Sequence, residues 1–220
     1  MQIETERETV RRTVTLTEPV TQQTFVLDDR PLAVHVDPEF HIFRRLHRAE
    51  VPPTIGQAMS AVSGLIIVPS RGDSALIQAY ERLARQWAED RKYSVVKEDR
   101  ASEALSRPTT VWVFGMAEIG NLSAQGLSLG VAMTEDRWSI AGTTYAPTQQ
   151  SLVLTAAHPD NPDYTVNWLI ASHPDKVPVI GRKLRHYRQY SYLVFAADTV
   201  VGKGIWPVAS SPMRREILWK

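Results

Sequence analysis

Two histidines and a glutamate, His41, His47 and Glu50, stand close together in the segment VDPEFHIFRRLHRAEVPPT, residues 36–54. Imidazole and carboxylate groups are the side chains that most often bind zinc or transfer protons. The spacing is unsuitable for zinc, because His41 and His47 are six residues apart and would point about 120° away from each other on a helix. Zinc-binding histidines on one helix instead lie four residues apart. The segment therefore predicts no metal site.

The same segment has the features of a joint between two parts of the chain. Asp37-Pro38 is a typical start for a short helix, and Phe40 and Phe43 would be its buried residues. Pro52-Pro53 would end the helix. We therefore expect a helical joint over residues 37–63, with its charged side chains in solvent.

A second chemical motif, G-x-S-x-G, places Ser128 between Gly126 and Gly130. This is the pattern of the nucleophile elbow of serine hydrolases, which requires a strand before the serine and a helix after it. The surrounding pattern favours the reverse order, a helix followed by a strand. The motif therefore does not by itself predict a hydrolase.

Basic and aromatic residues coincide in GRKLRHYRQYSY, residues 181–192. With Leu184 and Tyr187 buried, four polar side chains would point outward together: Arg182, Arg185, His186 and Gln189. Such an interaction patch suits an acidic segment of a partner or a phosphate. The alternative is an ordinary solvated face near the end of a helix, where positive charge is favourable.

The composition excludes several classes of function. The absence of cysteine excludes disulfides, thiolate metal sites and a cysteine nucleophile. A net charge of +1 at pH 7 gives no field that would attract nucleic acid. No apolar stretch approaches the roughly 20 residues of a membrane span, and the charged first residues do not resemble a secretory signal. The sequence predicts no cofactor and does not determine a cellular compartment.

The secondary structure that must position these residues changes along the chain from short β-strands to alternating strands and helices. Short alternating runs at Val10–Thr17, Gln23–Leu27 and Pro31–Val36 predict an antiparallel β segment over residues 5–36. From Leu65 onward, continuous apolar runs alternate with helical patterns, which is typical of a parallel sheet. We therefore expect a Rossmann-like layered α/β domain with a mostly parallel sheet over residues 64–208.

Within this α/β domain the pattern predicts eight strands and four helices. They are strand 65–68, helix 74–90 with Asp73 as N-cap, strand 93–96, helix 101–105, strand 109–114, a hairpin of 131–133 and 138–140, strand 151–155, a helix opening at Asn161-Pro162, a helix from Pro178, and strands 190–195 and 200–208.

A ligand of such a domain would bind at the carboxyl ends of its parallel strands. Five residues follow predicted strands closely enough to lie at that edge: Ser70, Arg71, Gly115, His158 and Asp160. His158 with Asp160 would be the pair for a hydrolytic reaction. The edge therefore predicts a small-molecule or sugar site and, less directly, a hydrolase site.

Three stretches together resemble one protein family. The stretches are VDPEFHIFRRLHRAEVPPTI, the strand and helix opened by GLIIVPS, and HPDNPDYTVNWLIASHPDKVPVIGRKLRHYRQYSYLVF followed by GKGIWPV. They resemble the C-terminal region of bacterial gluzincin-type, alanyl aminopeptidase-like zinc peptidase proteins. The resemblance covers Leu32 to Val208. It implies a non-catalytic α/β region that lies after a β-domain and downstream of the peptidase domain.

The family's zinc motif, H-E-x-x-H, has no match here, because none of the six histidines is followed by glutamate. No peptidase residue is carried over. The resemblance thus implies an accessory or interaction domain whose partner is an upstream domain of the same polypeptide or another protein. The alternatives are a stand-alone small-molecule or sugar-binding domain and, third, a hydrolase.

Overall fold

The structure is a computed structural model and describes residues 1–105, 108–116, 130–134, 136–208 and 210–219. The chain forms two compact units. Unit 1 comprises Met1–Val51 and Val208–Lys220, and unit 2 comprises Pro52–Pro207. Unit 2 is therefore inserted between the two parts of unit 1, a division that differs from the predicted ranges 5–36, 37–63 and 64–208.

The described residues form fourteen strands, four α-helices and three 3₁₀ turns. The strands are β1 (Gln2–Thr5), β2 (Thr9–Arg11), β3 (Pro31–His35), β4 (Ser63–Val68), β5 (Lys92–Lys97), β6 (Val111–Phe114), β7 (Val131–Met133), β8 (Trp138–Ile140), β9 (Thr143–Tyr145), β10 (Gln150–His158), β11 (Asn161–Ile170), β12 (Tyr192–Ala196), β13 (Thr199–Gly204) and β14 (Arg214–Glu216). The helices are α1 (Ile55–Ser60), α2 (Ser74–Asp90), α3 (Ala101–Ala104) and α4 (Lys176–Lys183), and the 3₁₀ turns are Arg48–Glu50, Glu98–Arg100 and Leu184–His186.

Unit 1 contains a four-stranded antiparallel sheet in the order β14-β3-β1-β2. The predicted strand at Pro31–Val36 is confirmed as β3. The strand predicted at Val10–Thr17 is confirmed only as far as Arg11, where β2 ends. The strand predicted at Gln23–Leu27 is wrong. An alternating run becomes a strand only where a neighbour completes its hydrogen bonds, and β2 pairs with β1 over three residues.

Unit 2 is built on a seven-stranded mixed sheet in the order β13-β12-β10-β11-β6-β4-β5. The pairs β4–β5, β4–β6 and β6–β11 are parallel, whereas β10–β11, β10–β12 and β12–β13 are antiparallel. A separate antiparallel sheet joins β7, β8 and β9. The predicted Rossmann-like fold with a mostly parallel sheet is therefore wrong, since the chain is mostly β and half of the pairs in its main sheet are antiparallel.

The error originates at Asn161–Ile170, where a helix was expected and strand β11 is found. Val166, Leu169 and Ile170 fit a helical period, but Asn167 and Trp168 between them are buried as well. Because β11 is covered on both faces, its apolar residues do not alternate, and periodicity alone does not separate it from a helix. Its β-branched and aromatic residues favour the strand.

The core of unit 2 lies on both faces of the main sheet. On one face, Ile66, Trp112 and Phe114 pack with residues of α1, α2 and α4. On the other face, Ile67 and Trp168 pack with α3 and with the inner residues of the small β7–β9 sheet. The parallel strands β4, β6 and β11 are thus buried on both sides, and their carboxyl ends carry the loops described below.

The prediction of α2 is confirmed in its range and its cap, because the Asp73 carboxylate accepts a hydrogen bond from the Ala75 amide at 2.9 Å. In the part of the chain that the structure describes, no helix has both the length and the apolar character needed to cross a membrane.

Candidate functional site

The strand connections of unit 2 create a crevice at one edge of the main sheet. From β4 the chain passes through α2 to β5 on one side of β4, and then returns to β6 on the other side. The chain that follows β4 leads to β5, whereas the chain that follows β6 leads to strands on the other side of β6, so the two loops separate at the carboxyl ends of β4 and β6. In open α/β sheets, ligands bind at this type of position. We call this cavity the switch-point crevice.

The switch-point crevice has a volume of about 660 Å³, which is within the rough range of 300–1,000 Å³ for small-molecule sites. Loops after three parallel strands form its sides, with residues 69–73 after β4, 115–116 after β6 and 171–172 after β11. Apolar side chains from α2 and the small sheet complete it. They are Leu76, Ile77, Tyr80, Met133 and Trp138.

Hydrogen bonds fix the floor of the crevice. The Tyr80 hydroxyl accepts a hydrogen bond from the Ala171 amide at 2.8 Å, and burial raises the pKa of Tyr80 to about 12. The Gly115 amide donates to the Leu169 carbonyl at 2.9 Å. Gly115 has a φ of +83°, which an L side chain rarely adopts. The turn after β6 therefore depends on this glycine.

Polar groups lie at the mouth of the crevice. The Ser70 hydroxyl donates to the Asp99 carboxylate at 3.1 Å, and the Ser70 amide donates to the Glu98 carboxylate at 3.4 Å. These residues and Arg71 also line an adjoining recess of about 440 Å³. Arg71 is exposed and makes no hydrogen bond or ion pair with any residue that the structure describes. The mouth thus carries a cation that is available to a ligand.

The structure brings three of the five predicted edge residues, Ser70, Arg71 and Gly115, to this mouth. It places His158 and Asp160 at the opposite edge of the sheet. The physical reason is that β10 runs antiparallel to β11, so that the carboxyl end of β10 meets the amino end of β11 in a hairpin. The prediction that all five residues share one edge is corrected in this respect.

His158 lies beneath the hairpin turn and is only 4% exposed. Its Nδ1 accepts a hydrogen bond from the Asp160 amide at 3.2 Å, while the Asp160 carboxylate lies 3.8 Å away. Burial lowers the pKa of His158, and the carboxylate opposes this effect. The pair therefore stabilises the turn, and its place in the sheet keeps it away from the crevice.

The predicted interaction patch is exposed in the structure. All four of its side chains point into solvent at the end of α4 and in the following 3₁₀ turn: Arg182, Arg185, His186 and Gln189. Arg182 and Arg185 also line a recess of about 130 Å³ with Arg91. Binding of an acidic group at this patch stays a prediction.

The segment 36–54 forms an ion network in unit 1 and not the expected helix before residue 48. Arg44 binds the Glu50 carboxylate through two nitrogens at 2.8 and 3.0 Å, and its Nε binds Asp37 at 3.0 Å. Asp37 and Phe40 both have a φ of +54°, which breaks any helix. Phe43, expected to be buried, is fully exposed.

The network accounts for the charged residues that suggested a metal. Hydrogen bonds from Arg44 and Ser211, together with one from the His47 amide, lower the pKa of Glu50 to about 2 although burial opposes this. Glu50 is only 2% exposed, and Arg44 keeps it in the carboxylate form. Within the described residues, no group of three or more metal-ligating side chains is found. In the structure, the carboxylates of Asp37 and Glu50 are paired with Arg44.

Unit 1 has a small apolar face beside a groove, and it exposes many large apolar side chains. Ile3 lies opposite both Val10 and Val34, so that these three side chains share one face of the small sheet. In the described part of unit 1, Ile3 and Ala33 are the only apolar residues that are buried. Twelve large apolar side chains among its described residues are exposed: Leu16, Val20, Val26, Leu32, Phe40, Ile42, Phe43, Leu46, Val51, Val208, Leu218 and Trp219. A groove of about 860 Å³ borders Ile3 and Val34.

Sequence reasoning identified the loops of the crevice but not its apolar lining. Ser70, Arg71 and Gly115 follow strands directly, which is a local signal. Trp138 and Tyr80 reach the crevice only through the packing of the small sheet and of α2, for which the sequence offers no local pattern. The Ser128 motif lies outside the described residues except for Gly130.

No protein-family model matches the chain, and no curated protein is significantly similar to it in sequence.

Proposed function

We propose that the chain is a non-catalytic accessory domain that binds a neighbouring domain of the same polypeptide or a protein partner through the apolar face of unit 1. The observation that carries the proposal is the groove of about 860 Å³ that borders the apolar face of Ile3, Val10 and Val34, together with the exposed apolar side chains of unit 1. A small antiparallel sheet normally packs one face on a core and leaves the other to solvent. Unit 1 has too few buried apolar residues to be such a core by itself.

The exposed apolar side chains support the same interpretation. Isolated exposed apolar residues are common in soluble proteins, whereas a concentration of them next to a groove is typical of interaction surfaces. Two exposed apolar residues, Leu16 and Ile42, line the groove beside Ile3 and Val34. The resemblance to the C-terminal region of gluzincin-type zinc peptidase proteins is consistent with this proposal, since in those proteins a β-domain precedes the α/β region.

The absence of a catalytic role is part of the proposal. The pair that was considered for hydrolysis, His158 and Asp160, lies at the edge of the sheet opposite the crevice. Purified chain should therefore hydrolyse neither ester nor peptide substrates. Hydrolysis that survives purification and is lost in His158→Ala would overturn this part of the proposal.

The first experiment is to sequence the reading frame upstream of Met1 and to produce the chain with whatever domain that frame encodes. Amide hydrogen exchange of β1 and β2 is then compared with that of residues 1–220 alone. The proposal expects slower exchange in the longer polypeptide, because a docked neighbour covers the apolar face.

Two variants on one strand provide a matched control. Val10→Glu places a charge on the apolar face and should abolish the added protection, whereas Thr9→Glu changes an exposed residue of the opposite face and should preserve it. Equal exchange in the long and short forms would contradict the proposal. The proposal would also be contradicted if the upstream frame encodes no further domain and residues 1–220 bind no protein partner.

A further inference from the structure

We propose that the switch-point crevice binds a small organic carboxylate with an apolar, preferably aromatic, body. This site is distinct from the apolar face of unit 1 and does not depend on the accessory role. Its location, lining and charge each support the inference, and all of its residues belong to unit 2.

The location supports a ligand because the backbone already forms a cleft there. The loops after β4 and β6 separate where the strand order reverses, and this creates a concave site without any strain in the sheet. The floor is held by the bond between Tyr80 and the Ala171 amide and by the turn at Gly115. A preformed site loses little conformational entropy when a ligand enters.

The lining favours an apolar body. Leu76 and Ile77 of α2 line the crevice from one side, and Met133 and Trp138 of the small sheet, which are almost fully buried, line it from the other. An aromatic ring gains favourable contacts both with an indole and with a thioether. A strongly hydrated ligand such as a free sugar would find few hydrogen-bond partners against these four side chains.

Arg71 is the one cation among the described residues that line the crevice. Three carboxylates are nearby and keep their negative charge. Asp73, which caps α2, also lines the crevice, whereas Glu98 and Asp99, which bind Ser70, line only the adjoining recess. Arg71 has no partner among the described residues. A guanidinium group presents two parallel donors that match a carboxylate. Arg71 is therefore the group that would bind the carboxylate while the body occupies the apolar interior.

The test uses two compounds that differ only in charge, naphthalene-2-carboxylate and naphthalene-2-carboxamide, with residues 1–220 and isothermal titration calorimetry. We expect the carboxylate to bind about tenfold more tightly than the amide, which corresponds to one charge-assisted contact. In Arg71→Ala this difference should vanish while the affinity for the amide stays the same.

Arg185→Ala is the matched control, because Arg185 is an equally exposed arginine that lies outside the crevice. It should leave both affinities unchanged. Backbone amide NMR shifts at Gly115, Ala171 and Ser172 should respond to the carboxylate. Equal binding of the two compounds, shifts confined to the unit 1 groove, or no saturable binding of the carboxylate would overturn the proposal.

Discussion

At the scale of single residues, the stability of unit 1 depends on buried ion pairs. Arg44 binds two carboxylates that are almost inaccessible to solvent, Asp37 and Glu50. Its bonds to Glu50, with those from Ser211 and the His47 amide, keep the pKa of Glu50 at about 2, well below the usual 4.5. Since the unfolded chain takes up the proton at higher pH than the folded chain, unit 1 is stabilised above about pH 4.5 and loses this contribution as the pH falls towards 2.

We therefore expect Glu50→Gln to weaken unit 1 at pH 7 and to reduce its dependence on pH between 4.5 and 2. Asp37 continues to contribute, because its pKa is lowered, against the effect of burial, by hydrogen bonds from Arg44 and two backbone amides. The measurement is amide hydrogen exchange of Ala33 and Val34, corrected for the intrinsic rate at each pH. Glu39→Gln is the control, because Glu39 is an exposed carboxylate whose partners, Arg11 and His41, are exposed as well. An acid response in Glu50→Gln equal to that of the wild type would contradict the role assigned to Glu50.

The backbone geometry determines which of these contacts can be predicted from the sequence. Asp37, Arg44 and Glu50 are close in sequence, so that some ion pairing is foreseeable. The bidentate bond to Glu50 depends on a backbone path with positive φ at Asp37 and Phe40, which no local pattern indicates. Ser211, which completes the network, comes from the far end of the chain.

At the scale of secondary-structure elements, β4 and β5 approach each other closely at one point. A Cβ atom added to Gly64 would lie 2.3 Å from Tyr93 Cε1 and 2.4 Å from the Thr110 carbonyl oxygen. Neighbouring strands hold both groups, since Tyr93 is in β5 and the Thr110 oxygen binds the Leu65 amide. Gly64 therefore allows β4 to lie between β5 and β6 at ordinary strand spacing.

Accordingly, Gly64→Ala should destabilise unit 2 by about 1–3 kcal/mol through overpacking. Urea denaturation followed by circular dichroism measures the change. Ser63→Ala, at the exposed neighbouring position of β4, should change the free energy of unfolding by less than about 0.5 kcal/mol. If Gly64→Ala behaves like this control, the close approach is not a constraint.

Elements with a strong local signal were predictable, and those defined by their neighbours were not. The apolar stripe and the Asp73 cap determine α2 from its own residues. The run at Asn161–Ile170 becomes a strand because β10 and β6 flank it. That pairing also decides the direction of β10, and hence the edge at which His158 lies, so one wrong element led to the wrong sheet and a partly wrong site.

At the scale of the whole molecule, unit 1 is completed by the end of the chain. Strand β14 pairs with β3, and the Val36 amide donates to the Met213 carbonyl at 2.9 Å. Ser211 donates to Glu50 at 2.5 Å. The last residues therefore supply a strand and a hydrogen bond to unit 1, and none of the strands of the main sheet in unit 2.

Deletion of residues 208–220 should consequently raise the hydrogen exchange rate of β3 at least about tenfold, because the edge that β14 covered is then open to water. The exchange of β4 and β6 should be unchanged. Deletion of residues 218–220, which retains β14, is the matched control. Equal loss of protection in both units would show that they do not unfold separately.

The insertion of unit 2 between β3 and β14 has a consequence for synthesis on the ribosome. Strand β3 emerges early, but the strand that covers its edge is made only after all of unit 2. Throughout that interval the nascent chain presents an unpaired strand edge next to exposed apolar residues, the combination that promotes aggregation between chains. The speed at which residues 52–207 are translated therefore sets how long each newly made molecule is vulnerable.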